Sequence, residues 1–341
     1  MPQNPEAEIY KDGKYHNTPP FSQLRDGMSR LGLMRKLLFQ PTPAATPDTA
    51  IPLHPIAPDT LETQRHNSEI QIYRLGHSTV LMKLGADYWL TDPVFSNRAS
   101  PSRLAGPKRF HQTPIRIADL PRLAGVVISH NHYDHLDKSA IKQLIGKVDH
   151  FITPRGVGKY LTGWGVAKTR ITELGWWQSI RHGETNITAT PTRHFSGRGL
   201  FDANKSLWAS YAFHHAGRAL FFGSDSGYFE GFKQINAQLG AFDLTMLETG
   251  AYSSAWPDVH MTPEQTIQAH IDLGGGDLGG GVLMPIHNST FKLSFHAWKE
   301  PLERIAKLAA AANLDLLTPE IGARVVLGQP NETGPWWREM P

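Results

Sequence analysis

The sequence predicts an α+β fold in which two sheets carry their helices on the outside, and three observations lead there. Short apolar runs suited to strands recur from Ile70 to Leu327, helical patterns interleave with them, and both halves of the chain repeat strand and helix in a similar order. The 341 residues, 40% hydrophobic and 19% charged, can bury a large core, and no apolar run approaches the roughly 18–20 residues of a membrane span. Lysine and arginine (34) against aspartate and glutamate (31) leave a net +3, too small a surplus for a general nucleic-acid binder, so no nucleic-acid partner is expected. Cysteine is absent, which excludes disulfides, thiolate metal sites, iron–sulfur clusters and a cysteine nucleophile. Any transition metal must then be held by carboxylate and by histidine, of which there are 17.

Residues 1–67 read as an N-terminal extension and 68–341 as the folded body. The first 23 residues lack the cationic start, apolar run and small-residue cleavage site of a secretory signal, which predicts a cytoplasmic location. Between 21 and 39, Phe21, Leu24, Met28, Leu31, Met34 and Leu38 share one helical face, and Arg25, Arg30, Arg35 and Lys36 outnumber Asp26. A basic amphipathic helix of this kind fits three partners: the inner face of a membrane, peripherally; a neighbouring subunit in a homodimer; or its own domain. Six prolines between Pro41 and Pro58 then predict an extended connector.

Strands are predicted at 70–75, 79–84 and 88–91, the last two joined through Gly85-Ala86-Asp87. A buried strand at 124–129 leads into a helix capped by Asp137. Further strands are expected at 150–153, 186–190, 207–213, 219–223, 244–248, 282–286 and 324–327, and helices at 229–239, 263–273 and 301–311. Thr262, Pro263 and Gln265 form the start signal of the second of these helices.

The chemistry concentrates at His130-Asn131-His132-Tyr133-Asp134-His135, where a buried strand ends and a helix begins. Residues two apart in extended chain point the same way, so His130 and His132 can address one metal, while Asp134 and His135, past the bend, can address a second. Polar residues end three other apolar strands: His194, Asp225 and His287. Gly223-Ser224-Asp225-Ser226-Gly227 has aspartate where a serine elbow needs serine, so no side-chain nucleophile is expected.

This constellation resembles the metallo-β-lactamase superfamily. The resemblance implies a four-layer αββα sandwich, making residues 68–341 a metallo-β-lactamase-like hydrolase domain with metals at the edge between its sheets. The segments Gly76-His77-Ser78-Thr79, Thr91-Asp92-Pro93, Gly106-Pro107-Lys108-Arg109-Phe110 and His260-Met261-Thr262-Pro263 are similar to those of bacterial relatives of N-acylphosphatidylethanolamine-hydrolysing phospholipase D. Asn288-Ser289-Thr290-Phe291 departs from the Trp-Gly-Thr-Phe expected there. The resemblance implies that His130, His132 and His194 hold one divalent metal, that Asp134, His135 and His287 hold another, and that Asp225 bridges them. Zinc suits these ligands best, with iron or manganese as alternatives. A hydroxide shared by the two ions would be the nucleophile and the ions would stabilise both reacting oxygens.

Asp134 and His260 are the candidate catalytic side chains. Asp92 is placed to accept the second ring N–H of a ligand histidine, and His260 and His296 flank the site loops. Residues 93–118 hold Arg98, Arg103, Lys108, Arg109 and Arg116 without an acid, which suits either a substrate-covering loop or a solvated basic surface. His214 and His215 are expected to face solvent. The function that follows is a phosphodiesterase of phospholipase D type acting on a small-molecule or phospholipid substrate. A lactonase or other carboxylic-ester metallohydrolase is the alternative, and a non-catalytic binding module the third.

Overall fold

The computed structural model describes residues 9–29, 32–33, 35–36, 40–276, 281–331 and 333–341. A small hairpin of β1 (Tyr10–Lys11) and β2 (Lys14–Tyr15) precedes helix α1 (Pro58–Gln64). The first half continues as β3 (Gln71–Gly76), β4 (Thr79–Leu84), β5 (Asp87–Thr91), β6 (Leu123–Val127), α2 (Lys138–Leu144), β7 (Val148–Pro154), α3 (Gly158–Gly163) and β8 (Ile171–Leu174). The second half runs β9 (Ser179–His182), β10 (Thr185–Thr190), β11 (Ser210–His215), β12 (Arg218–Phe222), α4 (Gly231–Leu239), β13 (Leu244–Glu248), α5 (Pro263–Asp272), β14 (Val282–Ile286), α6 (Glu300–Ala311) and β15 (Arg324–Val326).

Seven strands form one sheet in the order β15-β3-β4-β5-β6-β7-β8, and six form the other in the order β14-β13-β12-β11-β10-β9. In both, antiparallel hairpins pass into parallel strands, at β5–β8 in the first sheet and β12–β14 in the second. Strand alternation explains the layers. In β3–β5, Ile72, Val80, Met82, Leu84 and Trp89 enter the core between the sheets, where they meet Ile187, Phe213, Leu220, Met246 and Ile286. Their neighbours Tyr73, Leu75, Leu81, Tyr88 and Leu90 point the other way, onto Leu61, Ala140, Ile141, Leu144 and Leu161 of α1–α3. Phe232, Ile235, Ile267, Leu302 and Ile305 of α4–α6 cover the outer face of the second sheet. The predicted α+β, αββα sandwich is what these layers make.

Local signals place the helices. Asp137 caps α2 through its side chain, which accepts from the N–H groups of Ser139 and Ala140, and Thr262 and Gln265 form a reciprocal capping box at α5. The helix expected over 21–39 is corrected in part. Residues 21–29 are turns and bends, with Gly27 at φ 79°, a left-handed conformation that interrupts an α-helix. Arg25 N–H bonds to Ala255 O, and Phe21, Met28 and Leu33 pack against Ala255, Trp256 and Val259. Residues 32–33 and 35–36 are helical, while Arg30, Leu31, Met34 and Leu38 lie outside the described residues. Farther on, Ile51, Ile56 and Leu61 are buried in the two outer layers, and Leu53 bridges Ile321. The strand expected at 207–213 is Ser210–His215; Leu207 and Ala209 instead bond across loops to Arg155 O and Ser129 O. His215 is buried, not solvent-facing, because Thr185 Oγ1 partners its Nδ1 at 2.9 Å.

Candidate metal centre

The site assembles where strands end. His77 follows β3, Asp92 follows β5, His130 lies just beyond β6, Asp225 beyond β12, Glu248 closes β13 and His287 follows β14. Such ends leave the sheet abruptly, and His77, Asp92, Ser224 and His287 all adopt positive φ, between 32° and 60°. Positive φ is disfavoured for non-glycine residues, so the surrounding contacts must hold these turns. They do so across the two sheets: His287 N–H donates to His77 O at 3.1 Å, and His77 N–H donates to Thr290 Oγ1 at 2.7 Å. Buried Arg74 adds bonds from Nη2 to both Asn288 O and Asn288 Oδ1 at 2.7 Å. The unexpected Asn288-Ser289 pair is therefore a brace behind the His287 turn.

Among the described residues, potential metal ligands gather in three overlapping groups, two of which hold the expected ligands, while Asp225, Glu248, His260 and His287 form the third. His130, His132, His194 and Asp225 form the first, and His77, Asp134, His135 and His287 form the second, with ligand atoms in each set lying within 4.8 Å of one another. Asp225 sits between them: its Oδ2 is 3.0 Å from His135 Nε2, 3.7 Å from His194 Nε2 and 3.8 Å from His130 Nε2, and its Oδ1 is 3.2 Å from His287 Nε2. All seven residues expected as ligands converge. His77, which the sequence reading quoted only as part of a motif, joins them, its Nε2 3.1 Å from Asp134 Oδ2.

Asp92 behaves as anticipated and does more. Its Oδ2 accepts from His135 Nδ1 at 2.7 Å and from Ser129 Oγ at 2.6 Å, and its Oδ1 accepts from Ser129 N–H at 2.7 Å. With its own proton given to Asp92, Ser129 Oγ accepts from His130 Nδ1–H at 2.9 Å. One buried carboxylate thus fixes the tautomers of two imidazoles and frees both Nε2 atoms. His194 is fixed similarly, its Nδ1–H directed at Val259 O at 3.3 Å.

This donor set fits divalent metal ions. His130 Nε2 and His194 Nε2 converge on His132 Nδ1 at 2.8 and 3.3 Å, an approach of three ring nitrogens that a single proton cannot satisfy. His135 Nε2, His287 Nε2 and Asp225 Oδ1 are buried without a hydrogen-bond partner among the described residues. Burial is the main reason that His130 and His194 lie well below the ordinary histidine value, and it lowers His132 to about 4. These rings are therefore neutral, the ligating form. Burial opposes ionisation of Asp134 and Asp225, but the neighbouring imidazoles outweigh it and hold both well below the usual carboxylate range. Burial likewise opposes charge on His287, yet Asp225 and Asp134 raise it to about 10. The two carboxylates demand positive charge at this point, and divalent ions on the imidazole nitrogens meet that demand.

Beside the clusters, His260 Nδ1 lies 2.6 Å from Oε2 of Glu248, whose Oε1 accepts from Ser226 N–H at 2.8 Å. Glu248 is fully buried, and burial raises its pKa. Sequence reasoning missed it, although its place at the end of an apolar parallel strand was the signal that identified Asp225 and His287. His260 also lines an apolar cleft of about 570 Å³ with Leu24, Tyr133, Phe195, Trp256 and Leu293. His296 stands apart from both clusters, stacked on Tyr252 with ring centroids 4.6 Å apart. Of the cations in 93–118, Arg109 is buried and donates to Val94 O, and Arg116 pairs with Asp119; Arg98 and Arg103 line a separate basin.

Comparison with known proteins agrees with this geometry. The family model of the β-lactamase superfamily domain matches residues 88–288. An uncharacterized protein of Mycobacterium tuberculosis is 42% identical over 330 residues, covering 96% of this chain and 87% of its own length. N-acyl-phosphatidylethanolamine-hydrolyzing phospholipase D 1 of Caenorhabditis elegans is 35% identical over 284 residues, covering 77% of this chain and 79% of its own. The solved structure of Igni18, a metallo hydrolase of Ignicoccus hospitalis, shares the fold with a TM-score of 0.57 at 19% identity, over 76% of this chain and 99% of that one. The chain therefore belongs to the metallo-β-lactamase superfamily of metal-dependent hydrolases, with a phospholipase D that hydrolyses N-acyl-phosphatidylethanolamine among its relatives.

Proposed function

We propose that the protein is a dinuclear metal-dependent phosphodiesterase of phospholipase D type, acting on N-acylphosphatidylethanolamine-like lipids. The observation that carries the reading is the pair of ligand clusters with Asp225 placed between them, beside an apolar cleft. In this assignment His130, His132 and His194 hold one ion, Asp134, His135 and His287 the other, and Asp225 lies between the two. Zinc is the metal this nitrogen-rich, thiolate-free set favours. Bound there, the ions supply Lewis acidity for water and for a phosphoryl oxygen.

The chain's own side chains supply the rest. Asp134, at 17% the more exposed of the two central carboxylates against 2% for Asp225, is placed to take a proton from the attacking water. Glu248 accepts the Nδ1–H of His260 and stabilises its imidazolium, the form whose Nε2–H can give a proton to the departing oxygen. Phe195, Trp256 and Leu293 of the cleft suit an acyl chain. The C. elegans relative supports the lipid substrate.

The test is hydrolysis of bis(p-nitrophenyl) phosphate and of N-acylphosphatidylethanolamine vesicles by metal-analysed protein, beside a His132→Ala variant. Turnover of both, reduced at least about 10³-fold in the variant, is expected because removal of a ligand disables the shared site. Protein with two bound metals that cleaves lactones and neither phosphodiester would sink the proposal.

A further inference from the structure

Sharing Tyr133 and Arg198 with the apolar cleft, a second basin of about 570 Å³ has a different chemistry. Arg98, Arg103, Lys138, Lys142 and Arg198 line it. Its one carboxylate, Asp137, is occupied: Oδ2 accepts from the N–H groups of Phe95 and Ser96 at 3.1 and 2.8 Å, and Oδ1 from those of Ser139 and Ala140 at 2.8 and 3.3 Å. Among the described residues, Arg103, Lys138 and Lys142 make no ion pair with an acid. Five cations thus face a single carboxylate already committed to the backbone.

Arg198 organises the basin. Its guanidinium lies 4.0 Å from the Tyr133 ring centroid, and its Nη1 donates to Leu136 O at 2.6 Å and Asn131 O at 2.9 Å. Its Nε and Nη2 donate to no protein group among the described residues. The guanidinium is fixed along one edge and keeps donors for a ligand along the other. Tyr133 and Arg198 also line the cleft that contains His260, so a ligand here adjoins the metal centre.

We propose that this basin is an anion subsite that binds a phosphomonoester group next to the metal centre. A phosphomonoester brings close to two negative charges and three acceptor oxygens, which suits several unpaired cations and a fixed guanidinium edge better than a monoanion does. The phosphate can be borne by a lipid or be free in solution. Leu104, beside Arg103, and Leu200-Phe201, just beyond Arg198, are 84–91% exposed and would meet the apolar edge of a lipid surface. Binding rests on this geometry alone; a role in substrate selection rests also on the phosphodiesterase reading.

The experiment uses the full-length, metal-loaded protein and an Arg103→Glu/Lys142→Glu variant, both positions being exposed and outside the proposed metal set. Calorimetric titration with inositol trisphosphate reads the soluble ligand, and sedimentation with phosphatidylcholine vesicles, with and without phosphatidylinositol phosphate, reads the lipid-borne one. At least one probe binds the wild type, weakens with added salt, and binds the variant at least about tenfold less tightly. Turnover of bis(p-nitrophenyl) phosphate stays unchanged in the variant. A response confined to one probe supports the subsite and identifies the source of the phosphate. Equal binding to both proteins would place the probe at the metals and overturn the subsite, as would a wild type that binds neither. Salt-sensitive binding in a protein inert to phosphodiesters would leave the subsite standing and remove only the phosphodiesterase reading.

Discussion

Replacing Asp92 by asparagine probes the metal centre without touching a proposed ligand. The carboxylate is fully buried and accepts three hydrogen bonds of 2.6–2.7 Å, two of them on Oδ2. Asparagine keeps one acceptor oxygen and brings an NH₂ group. If that group takes the Oδ2 position it confronts His135 Nδ1–H and Ser129 Oγ–H; if it takes the Oδ1 position it confronts Ser129 N–H. Either way a buried donor is left without an acceptor, and in the first orientation the tautomers of His135 and His130 also lose their common anchor. Outer-shell changes of this kind lower metal affinity by about 10–100-fold, or roughly 1.4–2.7 kcal/mol. Competition for zinc against a chromophoric chelator measures the loss, with circular dichroism to confirm folding. A folded Asp92→Asn protein that binds zinc as tightly as the wild type would show that the hydrogen bonds to Ser129 and His135 do not tune these ligands.

Three further outcomes follow. In Glu248→Gln, the amide oxygen is best kept facing Ser226 N–H and Met261 N–H, so the NH₂ points at His260 Nδ1, which must then be unprotonated, and the imidazolium that gives the Nε2 proton loses the carboxylate that stabilises it. We expect kcat to fall about 10²-fold with little change in KM, together with an altered pH–rate profile; kcat within twofold of wild type would exclude His260 as the proton donor. His270, buried on α5 with Nδ1 2.7 Å from Thr245 Oγ1, is lowered to about 4 by burial. The unfolded chain then binds more protons than the native one between about pH 4 and 6.5, so this contribution is complete above 6.5 and is lost as the pH falls through that window, by about 2–3 kcal/mol. Urea titrations of His270→Gln at pH 7 and 4.5 should show a smaller pH-dependent loss than in the wild type; equal losses would refute the assignment. A Cβ on Gly125 would lie 2.4 Å from Trp89 Cζ3 and 3.1 Å from His150 O, so Gly125→Ala should destabilise the first sheet by about 1–3 kcal/mol, and an unchanged urea midpoint would contradict that.

What was legible in the sequence shares one physical origin. A parallel strand buried on both faces is a nearly uninterrupted apolar run, so the polar residue ending it is conspicuous; His130, Asp225 and His287 stand out for that reason. The edge strands β8 and β9 were not visible, because they are half-exposed and mix charged with apolar residues. Residues 21–29 imitate a helix by spacing, yet their apolar side chains pack against Trp256 from a turning chain, and spacing alone does not report which neighbour arrives.

The omissions at the site have a different cause. Glu248 and His77 end strands just as Asp225 and His287 do, so position alone made all four candidates; what sets their tasks is the partner each meets from another strand. Pairing Glu248 with His260, or Asp92 with both Ser129 and His135, joins residues separated by 12 to 43 positions, and no local pattern encodes such a distance. The same argument separates the cations of 93–118. Arg98 and Arg103 reach the basin opposite Lys138, Lys142 and Arg198, whereas Arg109 is drawn inward to the carbonyl of Val94 and the ring of Phe291. A run of like charges thus specifies a field but not its direction, and the direction comes from which carbonyls and rings the folded loop leaves within reach of each guanidinium.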